Sequence, residues 1–345
     1  MTISHELPQL GWNQFFQQQL TLEEWDRFSI GRVAVQERSV VSVLSQNGQC
    51  SLDLLPDFPA ITVGDWVLYD HIGRLQRRLD RSSLISRKAA GTRVGTQLIA
   101  ANIDTVFIVS SLNQDFNLNR LERYLVLANE TLAQAVVVLT KLDQCDDPDT
   151  YCQSAQALRS SLPVLAVNSL DRESVEGLSP WCQSGNTVAL LGSSGVGKST
   201  LINTLLGGAV QQTKAVREDD AKGRHTTTNR SLHLLPSGGL LIDMPGMREL
   251  QLADCEHGIE QTFPEISQLS ELCKFTDCQH VAEPGCAVQE AIESGELDRR
   301  RLESYVKLNK EQAYNKATLS EKRQRDRDLG KYYRQVLAAK TRNHS

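Results

Sequence analysis

The chain has 345 residues, of which 40% are hydrophobic and 23% charged, and its formal net charge is −5. This is ordinary globular composition with length for two or three domains, and no apolar run reaches the ~18 residues of a membrane-spanning helix. The opening residues lack the basic-then-apolar order of a secretory signal, so a cytoplasmic setting and no membrane partner are expected. Charge is unevenly distributed. Residues 301–345 hold 12 Lys+Arg against 5 Asp+Glu, and in residues 74–93 seven basic side chains accompany only Asp80. Basic faces on an acidic chain suit contact with RNA through phosphate neutralisation.

In chain order, residues 30–86 read as short strands broken by turn residues. Residues 32–44 are rich in valine, residues 50–55 alternate apolar and polar, and Gly64-Asp65-Trp66-Val67-Leu68-Tyr69 looks like a turn feeding a strand. Such a run predicts a small β-barrel, with an oligonucleotide-binding (OB-fold) barrel as one candidate. After Leu98 the rhythm becomes strand, helix, strand. Residues 105–110 and 135–140 are continuous apolar runs of the kind buried on both faces of a parallel sheet. Between them Leu121, Tyr124, Leu125 and Ala128 fall at helical spacing. Further strands are expected at 164–167, 187–191 and 240–243, which makes this a parallel α/β domain. A compact cysteine-containing unit follows, and the chain beyond 297 reads as polar helix.

The strongest motif is Gly192-Ser193-Ser194-Gly195-Val196-Gly197-Lys198-Ser199-Thr200, between an apolar strand and a helical stretch at 201–206. Glycines let backbone N–H groups converge on phosphate oxygens while the helix directs its positive end at the same anion. Lys198 is then expected on the β and γ phosphates and Ser199 on Mg²⁺. Downstream, Asp243-Met244-Pro245-Gly246 ends another apolar strand. There Asp243 is expected to hold Mg²⁺ and the Gly246 N–H to sense the γ-phosphate. Between the two lies Gly223-Arg224-His225-Thr226-Thr227-Thr228, in which Thr227 is the favoured third magnesium ligand.

Base choice rests on Thr140-Lys141-Leu142-Asp143 at the end of a buried strand. The Asp143 carboxylate can accept from guanine N1–H and its 2-amino group, a donor pair adenine lacks, and the Lys141 stem can cover the base plane. Asn168 and Ser169, closing the next strand, are placed to offer a backbone N–H to the guanine O6. Because this base reader precedes the phosphate loop, the nucleotide domain is circularly permuted.

The motif order, base reader, phosphate loop, threonine loop, Asp-x-x-Gly, resembles the bacterial small-ribosomal-subunit-dependent GTPases of the RsgA family. Residues 99–104, Ile-Ala-Ala-Asn-Ile-Asp, are similar to that family's entry into its first GTPase strand. The resemblance spans nearly the whole chain. It implies an OB-fold barrel (residues 1–90), a circularly permuted P-loop α/β GTPase domain (91–252) and a zinc-binding domain with a basic helical tail (253–345). It also implies GTP hydrolysis stimulated by the small subunit during its late maturation, with rRNA and GTP/GDP as partners. No coiled coil or exposed apolar helix face is legible, so a monomer is expected. One departure is Thr140, where the family's base motif begins with asparagine. Weaker nucleotide affinity is the expected cost.

The family's other motif is Cys273-x4-Cys278-x-His280-x5-Cys286. Three thiolates and an imidazole form a closed tetrahedral set, which fits one structural zinc ion. The remaining cysteines, Cys50, Cys145, Cys152, Cys182 and Cys255, are scattered, so metal binding is favoured over a disulfide framework. Met247 occupies the place after Gly246 where many GTPases carry a water-positioning glutamine, so slow intrinsic turnover is expected and His225 is the candidate substitute. The competing classes are a P-loop ATPase or small-molecule kinase with an RNA-binding appendage, and a non-catalytic RNA scaffold that keeps bound GTP.

Overall fold

The computed structural model describes residues 5–88, 96–208, 230–244 and 255–316. The valine-rich stretch forms two strands, β1 (Ser29–Gln36) and β2 (Val40–Ser45), followed by β3 (Gly48–Asp53), β4 (Trp66–Tyr69) and β5 (Leu75–Arg78). All pair antiparallel in the order β3-β2-β1-β4-β5, and a bridge between Asp53 and Arg74 joins the two ends of that order. Alternate side chains, including Val33, Val41, Val43, Leu52, Val67 and Leu75, fill the interior. Period-two alternation thus becomes a barrel core.

Ahead of the barrel runs a segment with no clear strand or helix periodicity. A 3-10 turn at Leu7–Leu10 and two short helices, α1 (Gln14–Gln17) and α2 (Leu22–Arg27), lie against it. Thr21 and Glu24 cap α2 reciprocally. Trp12 meets Trp66 edge-on at 4.9 Å, with Phe16 5.7 Å from the same ring. Beneath them lies Arg32, a fully buried cation. Its guanidinium donates to the carbonyls of Leu10 (2.5 Å), Asn102 (2.8 Å) and Gly64 (3.3 Å). Desolvation pulls this group down to about 10, against the raising influence of Asp104 and Asp65, so it is still a cation at neutral pH. Asp65, also buried, accepts two bonds from Arg81 at 2.6 and 2.7 Å and one from the Thr62 N–H.

A two-stranded pair, β6 (Leu84–Lys88) and β7 (Thr96–Ala101), leads out of the barrel. The α/β domain then unfolds as β8 (Thr105–Ser111), α3 (Leu118–Glu130), β9 (Gln134–Thr140), α4 (Pro148–Gln156), β10 (Val164–Ala166), α5 (Arg172–Glu176), β11 (Thr187–Gly192), α6 (Lys198–Leu205), β12 (Ser231–Leu234) and β13 (Leu240–Asp243). Strands β10-β9-β8-β11-β13 are parallel in that spatial order. Every residue of β8 and β11 is buried, as the uninterrupted apolar runs require. One strand went unread in the sequence. β12 pairs antiparallel with β13, and its Ser231 lies opposite Val35 of β1, so barrel and α/β domain share one continuous sheet.

The carboxyl-terminal unit comprises α7 (Glu256–Thr262), α8 (Pro264–Glu271), α9 (Ala287–Ser294) and α10 (Arg299–Lys316). It is docked on α3. Gly258 approaches so closely that a Cβ there would sit 2.2 Å from the Val126 carbonyl oxygen, and its N–H donates to Glu130 at 2.7 Å. Glu122 of α3, fully buried, receives Arg301 at 2.8 Å and Arg300 at 3.0 Å, and Arg301 also stacks 4.5 Å above the Phe263 ring. Arg123 and Glu311 form a two-pronged pair at 2.5 Å.

Arg32→Met should destabilise the chain by about 3 to 5 kcal/mol, because it strips three buried carbonyls of a charged donor at once. Urea unfolding followed by tryptophan fluorescence measures this, since Trp12 and Trp66 flank the site.

Candidate nucleotide site and metal centre

The phosphate-loop motif forms the tight turn its glycines allow. Gly192 leaves β11 at φ 157°, with its α-carbon so near β8 that a Cβ would lie 2.4 Å from the Val109 carbonyl oxygen. Gly197, at φ 89°, turns the chain into α6. Val196 is buried between them and anchors the loop, while Ser194 and Gly195 stay exposed. Ser199 and Thr200 occupy the first turn of α6, where backbone N–H groups point out of the helix end. The Lys198 ammonium lies across the loop, donating to the carbonyls of Gly192 (2.8 Å) and Ser193.

Beside this loop sits the Thr140–Asp143 turn. Thr140 is completely buried at the end of β9, and its hydroxyl lies 2.5 Å from the Val196 carbonyl and 3.1 Å from that of Ser110. A single hydroxyl proton favours the shorter contact, which ties the base-reading strand to the phosphate loop. Lys141 takes the left-handed conformation at φ 63°, reversing the chain into a 3-10 turn that presents Asp143 to solvent. The Leu142 N–H reaches the Val167 carbonyl at 3.3 Å, which joins this turn to the next. In that next turn the Asn168 N–H is taken by Ser174 Oγ (2.8 Å) and the Leu170 N–H by the Asn168 carboxamide (3.0 Å). Ser169 is buried against Gly197, and its carbonyl accepts from Thr204 at 2.6 Å.

Asp243 closes β13 opposite Ser231. The preceding Ile242 packs on the barrel turn at Gly64, where a Cβ would come within 3.2 Å of it. His225, Thr227, Gly246 and Met247 lie outside the described residues.

In the carboxyl-terminal unit Cys273, Cys278, His280 and Cys286 converge, their ligand atoms all within 4.8 Å of one another. The Cys273 and Cys286 sulfurs are 3.9 Å apart and lie 3.6 and 3.5 Å from His280 Nδ1. A tetrahedral ion with ~2.3 Å bonds to sulfur and ~2.0 Å to nitrogen has edges of about 3.8 and 3.5 Å, so these residues fit zinc. The other ring nitrogen, Nε2, is 3.1 Å from Ser270 Oγ, which itself donates to the Ile266 carbonyl at 2.7 Å. With its hydrogen on Nε2, the ring keeps the Nδ1 lone pair aimed at the cluster.

Residues 78–253 match the family model described as RsgA GTPase. A Vibrio vulnificus (strain CMCP6) protein named small ribosomal subunit biogenesis GTPase RsgA 2 is 54% identical over 336 residues, spanning 97% of this chain and 96% of its own. The chain belongs to the RsgA GTPase family. A Mesorhizobium japonicum RsgA is 50% identical, with 90% of this chain and 91% of the relative covered. Among solved structures, YjeQ from Thermotoga maritima superposes with TM-score 0.62 at 27% identity, covering 81% of this chain and 97% of that one. YloQ, described as a circularly permuted GTPase, shares the fold with TM-score 0.61. RsgA membership makes this chain a GTPase, a hydrolase.

In this RsgA-family chain several supporting residues carried no sequence signal. Ser174 and Ser270 are isolated serines in polar surroundings, and only folding brings them to Asn168 and His280. Thr204 could have been read, since it falls four residues after Thr200 on the same face of α6, its hydroxyl 3.1 Å from the Thr200 carbonyl.

Thr140→Val should preserve the fold and weaken GDP binding about tenfold, the effect of one lost hydrogen bond of ~1.4 kcal/mol holding the loop. Titration with a fluorescent GDP analogue reads this directly. The purified chain should retain one zinc per molecule through gel filtration, and Cys286→Ala should release it. Elemental analysis with a thermal melt checks both, and loss of cooperative unfolding in the carboxyl-terminal unit should accompany loss of metal.

Proposed function

We propose that this chain is a GTP-hydrolysing switch that acts in late maturation of the small ribosomal subunit, holding it in the GTP state and leaving after hydrolysis. The observation that carries the reading is the seating of Thr140 and Ser169 against Val196 and Gly197, which sets a guanine reader beside a phosphate loop on neighbouring strand ends. The names of the relatives from Vibrio vulnificus and Mesorhizobium japonicum support the ribosomal partner. In this reading Asp143 selects guanine, the Lys141 stem covers the base, and the Ser169 N–H meets the base oxygen, the neighbouring Asn168 and Leu170 N–H groups being engaged within the turn.

Lys198 transfers its ammonium from the Gly192 and Ser193 carbonyls to the β and γ phosphates. Ser199, Thr227 and Asp243 hold Mg²⁺, which neutralises phosphate charge when bound. The Gly246 N–H senses the γ-phosphate. With methionine at position 247, His225 orients the attacking water once a partner orders the site. Cys273, Cys278, His280 and Cys286 hold one structural zinc.

The five-stranded order closed by the bridge between Asp53 and Arg74 supports an OB-fold for the barrel, which with the basic tail contacts rRNA. Residues 1–90, 91–252 and 253–345 act as barrel, GTPase and zinc domains of a cytoplasmic monomer.

Phosphate release from GTP is expected to be slow alone, near ~10⁻⁴ s⁻¹, and strongly accelerated by purified small subunits. Lys198→Ala should abolish the acceleration, His225→Ala should remove most of it, and ATP should not substitute. Equal turnover with and without subunits would refute the ribosome-coupled switch.

A further inference from the structure

Between α10, α9 and the loop that carries His280 runs an open groove of about 480 Å³. Leu302, buried, and Val306, half-buried, line it from α10, and Val281, 74% exposed, lines it from the metal loop. Along the same edge stand Arg299, Lys307 and Lys310, all exposed. Their state differs from that of the other cations of α10. Arg300 and Arg301 are bound to Glu122, and Lys316 to Glu256 at 2.7 Å. Among the described residues, Arg299, Lys307 and Lys310 have no ion-pair partner, although Glu303 lines the groove beside them. Positions 299, 303, 306 and 310 follow one another at three or four residues and share a face, with Lys307 at its flank.

We propose that this groove docks an acidic, amphipathic segment of a partner protein. Its chemistry is complementary to carboxylates at the rim and aliphatic side chains within. Its one ring, His280, has its nitrogens turned to the cysteine cluster and to Ser270, and aliphatic lining adds nothing to phosphate binding. Leu272 and Phe275, in the chain leading into the same loop, are exposed as well, and large exposed apolar side chains suit protein contact. Lysine stems can lie along apolar surface while their ammonium groups reach carboxylates at the edge. The partner is thus distinct from the rRNA of the proposed function, though that reading places it among the proteins of the small subunit.

The test uses the full-length zinc-loaded protein and fluorescence anisotropy. The probes are a short synthetic peptide alternating glutamate-rich and leucine positions at helical spacing, the same peptide with serine for leucine, and an oligouridylate of matching length. The leucine peptide should bind, the serine version at least about tenfold more weakly. Arg299→Glu, and separately Val281→Asp, should each weaken the leucine peptide about tenfold while intrinsic GTP turnover is unchanged. Both changes are at exposed positions, so folding is retained, which a melting curve verifies. Peptide binding that ignores these substitutions, or no peptide binding, overturns the proposal. Oligouridylate that competes with the peptide and is lost on Val281→Asp overturns it in favour of a nucleic-acid groove. Cosedimentation of the unaltered protein with small subunits reads the ribosomal assignment separately, so either can fail alone.

Discussion

A charge with no water around it organises the amino-terminal half of this molecule. Arg32 can be buried only if every N–H it turns inward finds an acceptor, and the three carbonyls it uses belong to the leading segment, the barrel turn and the entry to the α/β domain. Removing any one of those segments leaves a cation or a carbonyl unsatisfied in a low-dielectric interior. The neighbouring Asp65 and Arg81 pair obeys the same constraint, with the carboxylate buried and its oxygens committed to a guanidinium and a backbone N–H. Relative placement of barrel and nucleotide domain is therefore specified by directional bonds, in addition to the non-directional packing of Trp12, Phe16 and Trp66.

The same logic recurs on the opposite side. Glu122 lies on the face of α3 that a solvent-exposed helix would fill with water-facing side chains, and here it is buried beneath Arg300 and Arg301. Gly258 lets α7 approach near enough for backbone contact, so the carboxyl-terminal unit is seated on the α/β domain by shape and by charge together. Three of its four helices are short, and a metal ion held by the four Cys/His ligands would add cohesion. Barrel and metal unit thus attach to different elements of one central domain. The barrel reaches the strand that ends in Asp243 through β12 and Gly64, whereas the carboxyl-terminal unit reaches α3, whose flanking strands end in Ser111 and Thr140.

Much of this was legible in the residues. Uninterrupted apolar runs identified the buried parallel strands, and the phosphate-loop, base-reader and Cys/His spacings each name atoms that the fold then brings together. Thr140 shows where legibility is partial. Its departure from asparagine was visible, but that its hydroxyl reaches Val196 depends on two strand ends meeting. β12 was invisible because Ser231-Leu232-His233-Leu234 is too short and mixed to stand apart from a loop, and its strand character comes from pairing on both edges. Arg32 sat unnoticed in a valine-rich strand, where a lone arginine normally reads as an outward-facing residue. Tertiary partners decided otherwise.

The position of Arg32's acceptors has a consequence for the order in which the chain becomes structured during synthesis. All three carbonyls lie at or before residue 102, so the amino-terminal segment and barrel can lock together while β8 is still to be made. The base-reading strand β9 then appears ahead of the phosphate loop and finds β8 beside it at once, but β11 must emerge before Thr140 has a Val196 to hold. β12 comes later still, and it closes against a barrel edge that has waited for it. Nucleotide capture therefore waits for β11 and the phosphate loop, after the base pocket's own strand has formed.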